Sequence, residues 1–101
     1  EFKKISFGNF IYDISSSELK KNSKTIYLTG GENELLLKLI DKKNEIVLRE
    51  ELAEKENDLS ELRKVDVQIT RLRHKIEQNP KQPLFIKTVR GKGYKLICNE
   101  K

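Results

Sequence analysis

The sequence predicts an α+β domain in which a small antiparallel sheet precedes three helices and a terminal β-hairpin. Three observations carry this reading. Paired short β-type runs fill the chain before residue 29, and a single apolar stripe at helical spacing spans residues 60–78. Two β-branched and aromatic runs then flank Arg90-Gly91-Lys92-Gly93. The 101 residues have room for one modest core, so the whole chain, 1–101, is expected to be one domain.

In the first segment, Ile5-Ser6-Phe7 and Phe10–Ile14 flank Gly8-Asn9, a good two-residue hairpin turn. Glu18–Lys21 and Lys24–Leu28 flank a second turn signal, Asn22-Ser23, so three or four strands are expected. Thr29-Gly30-Gly31-Glu32 is a capping box: the Thr29 hydroxyl accepts from the third helical amide and Glu32 reaches back. The apolar run Leu35, Leu36, Leu37, Leu39 and Ile40 carries that helix to Lys42 or Lys43, although two glycines in its first turn each weaken it by roughly 1 kcal/mol. Ile46-Val47 reads as an extended link. Arg49–Glu56 reads as a second helix burying Leu52 and Ala53, broken by Asn57-Asp58.

Ser60–Gln78 is the clearest element. Leu62, Val65, Ile69, Leu72 and Ile76 recur at spacings of three and four, which is one stripe of a helix. Asn79-Pro80 ends it, because proline disfavours helical geometry in its predecessor. Leu84–Val89 and Tyr94–Cys98 form the terminal hairpin with a basic tip. A helix pair followed by a longer third helix and a β-hairpin is the order of a winged helix-turn-helix.

Charge is distributed unevenly. The net charge of +5 combines −3 over residues 1–61 with +8 over residues 62–101, so one end of the domain projects a positive field suited to a polyanion. The face of the third helix opposite its stripe carries Arg63, Val67, Thr70 and His74, with Lys64 and Arg71 beside them. Asp66, Gln68, Arg73 and Lys75 lie on the borders. Arginine offers a fork to guanine and glutamine one to adenine, threonine supplies a short hydrogen bond, and an outward valine suits a thymine methyl. Asp66 and Glu77 are almost the only acidic partners within the helix, so this face is poorly supplied for internal ion pairs. Lys87, Arg90, Lys92 and Lys95 surround the glycines of the hairpin, and an arginine at such a tip suits a narrow minor groove.

Enzyme chemistry finds little support. The one histidine and one cysteine fall on different elements, and no serine is placed to complete a triad. His74 and Glu77 are at ligand spacing, but two ligands do not make a zinc site. No cofactor is implied. No apolar run is long enough to span a membrane and no signal-peptide pattern opens the chain. Cys98 cannot form an internal disulfide, which fits a reducing compartment or is uninformative. The chain has no methionine, so it is expected to be a piece of a longer protein.

Four blocks carry a resemblance. They are Leu28-Thr29-x-x-Glu32-x-x-Leu35-Leu36, Arg49-Glu50-Glu51-Leu52, Val65 through Arg73 (VDVQITRLR) and Ile86 through Tyr94 (IKTVRGKGY). Across essentially the whole chain they resemble the effector domain of OmpR/PhoB-type response regulators, bacterial two-component transcription factors. The resemblance implies a four-stranded N-terminal sheet, three helices and a C-terminal wing. The third helix would lie in the major groove of double-stranded DNA and the wing at the minor groove. Arg71 matches the principal base-reading position. Arg63, Gln68, Thr70 and Arg73 match positions that contact bases or phosphates, Arg49 and Thr88 match phosphate contacts, and Arg90 matches the wing residue near the minor groove. The resemblance further implies cytoplasmic action, an upstream receiver domain phosphorylated in a phosphorelay, and paired copies on tandem half-sites. In the family the loop between the second and third helices can touch RNA polymerase, and here that loop is short and lacks the aromatic residue often found there. Position 33, usually large and apolar in the family, is Asn33 here, so a different packing of the first helix is expected. His74 stands where lysine or arginine is more usual, and places a pH-sensitive group near the phosphates. A winged helix that binds only proteins, and an unspecific DNA-binding protein, are the alternatives. A specific reader should prefer its site by roughly 10³-fold or more.

Overall fold

Gly8, with φ of +58°, and Asn22 and Ser23, at +50° and +71°, take the left-handed conformations that tight hairpin turns require. They close a four-stranded antiparallel sheet in sequential order: β1 (Lys4–Phe7), β2 (Phe10–Asp13), β3 (Glu18–Lys21) and β4 (Lys24–Ile26). This is a computed structural model, and it describes residues 4–53 and 59–98. Alternation puts Ile5, Tyr12 and Leu19 in one cross-strand row facing the core, beside Phe7 and Phe10.

α1 (Gly30–Asp41) begins with the expected capping box: the Glu32 amide donates to Thr29 Oγ1 at 3.2 Å and the Thr29 amide to Glu32 Oε1 at 3.0 Å. Leu35, Leu36, Leu39 and Ile40 are buried. Asn33, where an altered packing was expected, is half-buried and accepts a hydrogen bond from the Tyr12 hydroxyl, so the helix is tied to β2 by a polar contact.

Two expectations are corrected here. The segment around Ile46-Val47 is a strand, β5 (Ile46–Leu48), and it pairs with the hairpin to make a three-stranded sheet in which the second hairpin strand is central. Val47 is buried, and its short apolar run satisfies its backbone on a distant strand. The second helix, α2 (Arg49–Leu52), is one turn that ends at Leu52, and the rest of its expected span, 54–56, lies outside the described residues. Ala53 has an extended ψ of 149° and its amide closes that turn on the Arg49 carbonyl. Leu52 and Ala53 are nonetheless buried, as read from the sequence. The Asn57-Asp58 break lies outside the described residues.

α3 spans Leu59–Ile76 and buries Val65, Ile69, Leu72 and Ile76 against α1 and α2. It stops two residues short of the expected end. The hairpin strands, β6 (Ile86–Val89) and β7 (Gly93–Leu96), are shorter at their outer ends than expected, with Arg90-Gly91-Lys92 as the turn. Phe85, just before β6, packs on Phe7 and Phe10 with ring centroids 5.5 and 6.1 Å apart, joining the two sheets.

Candidate nucleic-acid interface

The stripe that seats α3 leaves its opposite face in solvent. Arg63, Val67, Thr70, Arg71 and His74 are all exposed there, with Lys64 beside them. Val67 is 43% exposed, an apolar side chain in the middle of a basic face. Among the described residues no carboxylate pairs with Arg63 or Arg71, whereas Lys64 lies 3.4 Å from Glu61 one turn earlier. Thr70 donates its hydroxyl to the Asp66 carbonyl at 3.0 Å. Arg90 and Lys92 stand exposed at the turn of the hairpin, where Gly91 supplies a φ of +75°.

The border residues of α3 point elsewhere. The Gln68 amide rests on Gly31, where any Cβ would collide with it, so this side chain leans on the first turn of α1. Arg73 is turned to the hairpin. Its Nε and Nη2 donate to the Ile86 carbonyl at 3.1 and 2.8 Å, Nη2 also donates to Thr88 Oγ1 at 2.8 Å, and the guanidinium lies 5.6 Å from the centroid of the Tyr94 ring. Arg49 grips Asp66 through two hydrogen bonds, 3.2 and 2.7 Å, reaching from α2 to α3. Asp66 also accepts from the Tyr94 hydroxyl at 2.7 Å. Burial, and then that hydrogen bond to a carboxylate, push the Tyr94 hydroxyl up to about 12.

Two grooves flank the hairpin. One, of about 310 Å³, runs between its tip and α2 and is bordered by Arg49, Thr88 and Lys92. The other is broader and is edged by Arg73, Lys81, Lys87 and Thr88.

Sequence reasoning missed Glu77. Read there as an acidic partner within the helix at ligand spacing from His74, it is buried, and its carboxylate accepts the amides of Leu84, Phe85 and Ile86 at 2.7, 3.0 and 2.8 Å. The available signal was an acidic side chain closing an otherwise basic helical end. Lys75 reads from the sequence as a border residue. It donates to the buried Glu32 carboxylate and to the Tyr27 carbonyl. Burial opposes ionisation of Glu32, but Lys75 and the Thr29 amide outweigh it and hold the carboxyl below its ordinary range. Among the described residues no three His, Cys, Asp or Glu side chains gather as metal ligands would.

Residues 23–96 match the model of the family described as "Transcriptional regulatory protein, C terminal". The chain belongs to this family. Relatives similar to it include the transcriptional regulatory protein AfsQ1 of Streptomyces coelicolor, 39% identical over 90% of this chain and 42% of that protein. The chain spans about two-fifths of the length of the curated relatives it matches. Among solved structures it is similar to the response regulator DrrB of Thermotoga maritima, described as an OmpR/PhoB homologue. That likeness has a TM-score of 0.83 and 35% identity, over 93% of this chain and 44% of DrrB. It is also similar to the RstA DNA-binding domain of Klebsiella pneumoniae in complex with the RstA box. There the TM-score is 0.76 and the identity 32%, over 94% of this chain and 97% of that domain. The winged-helix architecture of the OmpR/PhoB type is therefore this chain's fold. No helix among the described residues is long and apolar enough to cross a membrane.

Proposed function

We propose that this chain binds double-stranded DNA with sequence preference, as the output domain of a two-component transcriptional regulator. The observation that carries the reading is the exposed face of α3, where Arg63, Arg71 and the apolar Val67 stand together with no carboxylate to neutralise the two arginines among the described residues. In this reading α3 enters the major groove, with Arg71 as its principal base reader. Arg63, Lys64, Val67, Thr70 and His74 serve as the neighbouring base and phosphate contacts. The wing (84–98) lies at the minor groove, led by Arg90 and Lys92, and Arg49 and Thr88 border the grooves that phosphates would occupy. Gln68 and Arg73 have a smaller part in direct contact, since α1 and the wing already hold them.

The RstA domain complexed with its box supports the same use of the fold here. The domain comprises residues 1–101. A receiver upstream, two copies on tandem half-sites, contact with RNA polymerase, a cytoplasmic setting and the absence of catalysis all belong to this proposal. It is tested by selecting bound duplexes from a random oligonucleotide pool. A defined consensus, preferred by roughly 10³-fold or more over random duplex, is the expected result. Retention of the pool without enrichment would refute sequence preference.

A further inference from the structure

The hairpin that forms the wing carries Arg90 at the end of a short lever. β6 contributes four residues between the base of the wing and its turn. At about 3.3 Å per residue the tip stands about 13 Å from Ile86, so a tilt of about 10° at the base displaces Arg90 by about 2 Å. A hydrogen bond tolerates only a few tenths of an ångström. Something must therefore fix the angle between the wing and α3. β5 pairs with β7 from Ile46 opposite Lys95 to Leu48 opposite Gly93, and the Arg49 amide donates to the Lys92 carbonyl at 3.2 Å. These bonds tie the wing to β5 and the start of α2 and leave its angle to α3 to other contacts. The buried apolar side chains Ile86 and Leu96 hold the wing to the core, but apolar burial is non-directional.

The directional contacts between the wing and α3 come from one edge of that helix and the residue that follows it. Asp66, Arg73 and Glu77 are spaced by seven and four residues, which places them in line beside the apolar stripe. Asp66 meets Tyr94 on β7. Arg73 meets the Ile86 carbonyl and the Thr88 hydroxyl on β6. Glu77 meets three successive amides where the chain enters β6. A carboxylate held by three N–H groups and a guanidinium that shares one carbonyl between two nitrogens each fix an orientation, not only a distance.

We propose that Arg73 and Glu77 are positioning residues that set the angle between the wing and α3, so that Arg71 and Arg90 reach their two grooves together. The inference rests on the DNA-binding reading above. It gives Arg73 the work of holding the wing, where a residue on a basic helix would otherwise pass for a phosphate clamp.

The test measures how much affinity Arg90→Ala loses in three forms of the 101-residue chain: native, Arg73→Lys and Glu77→Gln. The probe is the duplex that random-pool selection recovers for the native chain. Lysine keeps a charge for a phosphate but cannot offer two nitrogens to one carbonyl. In the native chain Arg90→Ala is expected to cost on the order of tenfold in affinity. In the Arg73→Lys and Glu77→Gln chains the same change costs about twofold or less, because the tip is no longer held in place. An equal tenfold loss in all three forms would overturn the proposal, as would full rescue by Arg73→Lys with the consensus unchanged. Circular dichroism reports whether Glu77→Gln folds; if it does not, Arg73→Lys alone decides. Absence of any consensus for the native chain removes the DNA-binding reading and this proposal with it, a failure distinct from an unchanged Arg90 effect.

Discussion

The Tyr94 hydroxyl donates to Asp66 Oδ1 across 2.7 Å, joining the central strand of the wing sheet to the long helix at a carboxylate already held by Arg49. The neutral phenol is the form this arrangement favours. Its value of about 12 lies above the 10.0 of a free tyrosine. A group whose folded value is raised contributes stability that is complete below its unfolded value and lost as pH climbs through the folded one. Stability should therefore fall between about pH 10 and pH 12, and Tyr94→Phe should flatten that fall. Ultraviolet titration of Tyr94→Phe should lose a late-ionising component that the native chain shows. An unchanged titration in that variant would contradict the contact.

Acid should act at a different contact, between α1 and α3. Glu32 is ionised, buried and paired with Lys75, and its depressed value means that its contribution is present above the ordinary carboxylate range and lost as pH falls through the depressed one. Glu32→Gln keeps the shape, weakens the capping box and leaves Lys75 the Tyr27 carbonyl. A loss of about 1–3 kcal/mol in urea unfolding at neutral pH is expected, with a shallower decline on acidification.

Arg71→Ala and Arg90→Ala should differ in kind. The first removes a fork on the exposed face of α3 and should cost about 1–3 kcal/mol on the selected site while relaxing preference at one base position. The second should leave the major-groove consensus intact, any lost preference being confined to an A·T-rich flank. Binding-site selection with both variants checks this. If Arg71→Ala keeps the whole consensus, the base reader lies elsewhere.

Binding should weaken steeply with salt, at a log–log slope of roughly −0.9 for each phosphate neutralised. Arg63→Ala should reduce that slope by about one if the residue sits on a phosphate, and leave it unaltered if it reads a base. Fluorescence anisotropy over a salt series measures both.

Gly31→Ala should separate helix stability from recognition. The added methyl removes a helical glycine, a gain of roughly 1 kcal/mol, and it displaces the Gln68 amide, which is flexible enough to move. A higher melting temperature with an unchanged consensus is expected if Gln68 only packs. A changed base preference would assign it a reading role.

Local signals made most of the fold legible. The Thr29–Glu32 box, the turn at Gly8-Asn9 and the stripe from Leu62 to Ile76 each declare themselves within a few residues, because they are satisfied by close neighbours in the chain. The strand at Val47 was not legible. Its partner, Tyr94, is remote in sequence, and three apolar residues look the same as a link. The same holds for the α3 edge. Periodicity places Asp66 and Arg73 on a border but does not say what that border faces, so Arg73 reads as a cation for DNA, while Glu77 reads only as an acidic partner within the helix. The exposed face was easier, since the shortage of nearby carboxylates is itself a property of the sequence.

Gly93 sits where the backbone of Val47 and Leu48 passes so near that a side chain would strike the Val47 carbonyl, whereas Gly91 has open space around it. The two glycines of the wing therefore tolerate change very differently. The side chains of the turn from Arg90 to Lys92 should be exchangeable, with asparagine acceptable at 91 because it adopts a positive φ more readily than other side chains. The boundary of that freedom is fixed at 93. Tips transplanted from related domains should be cut on its near side, so that new minor-groove preferences arrive without disturbing the sheet beneath.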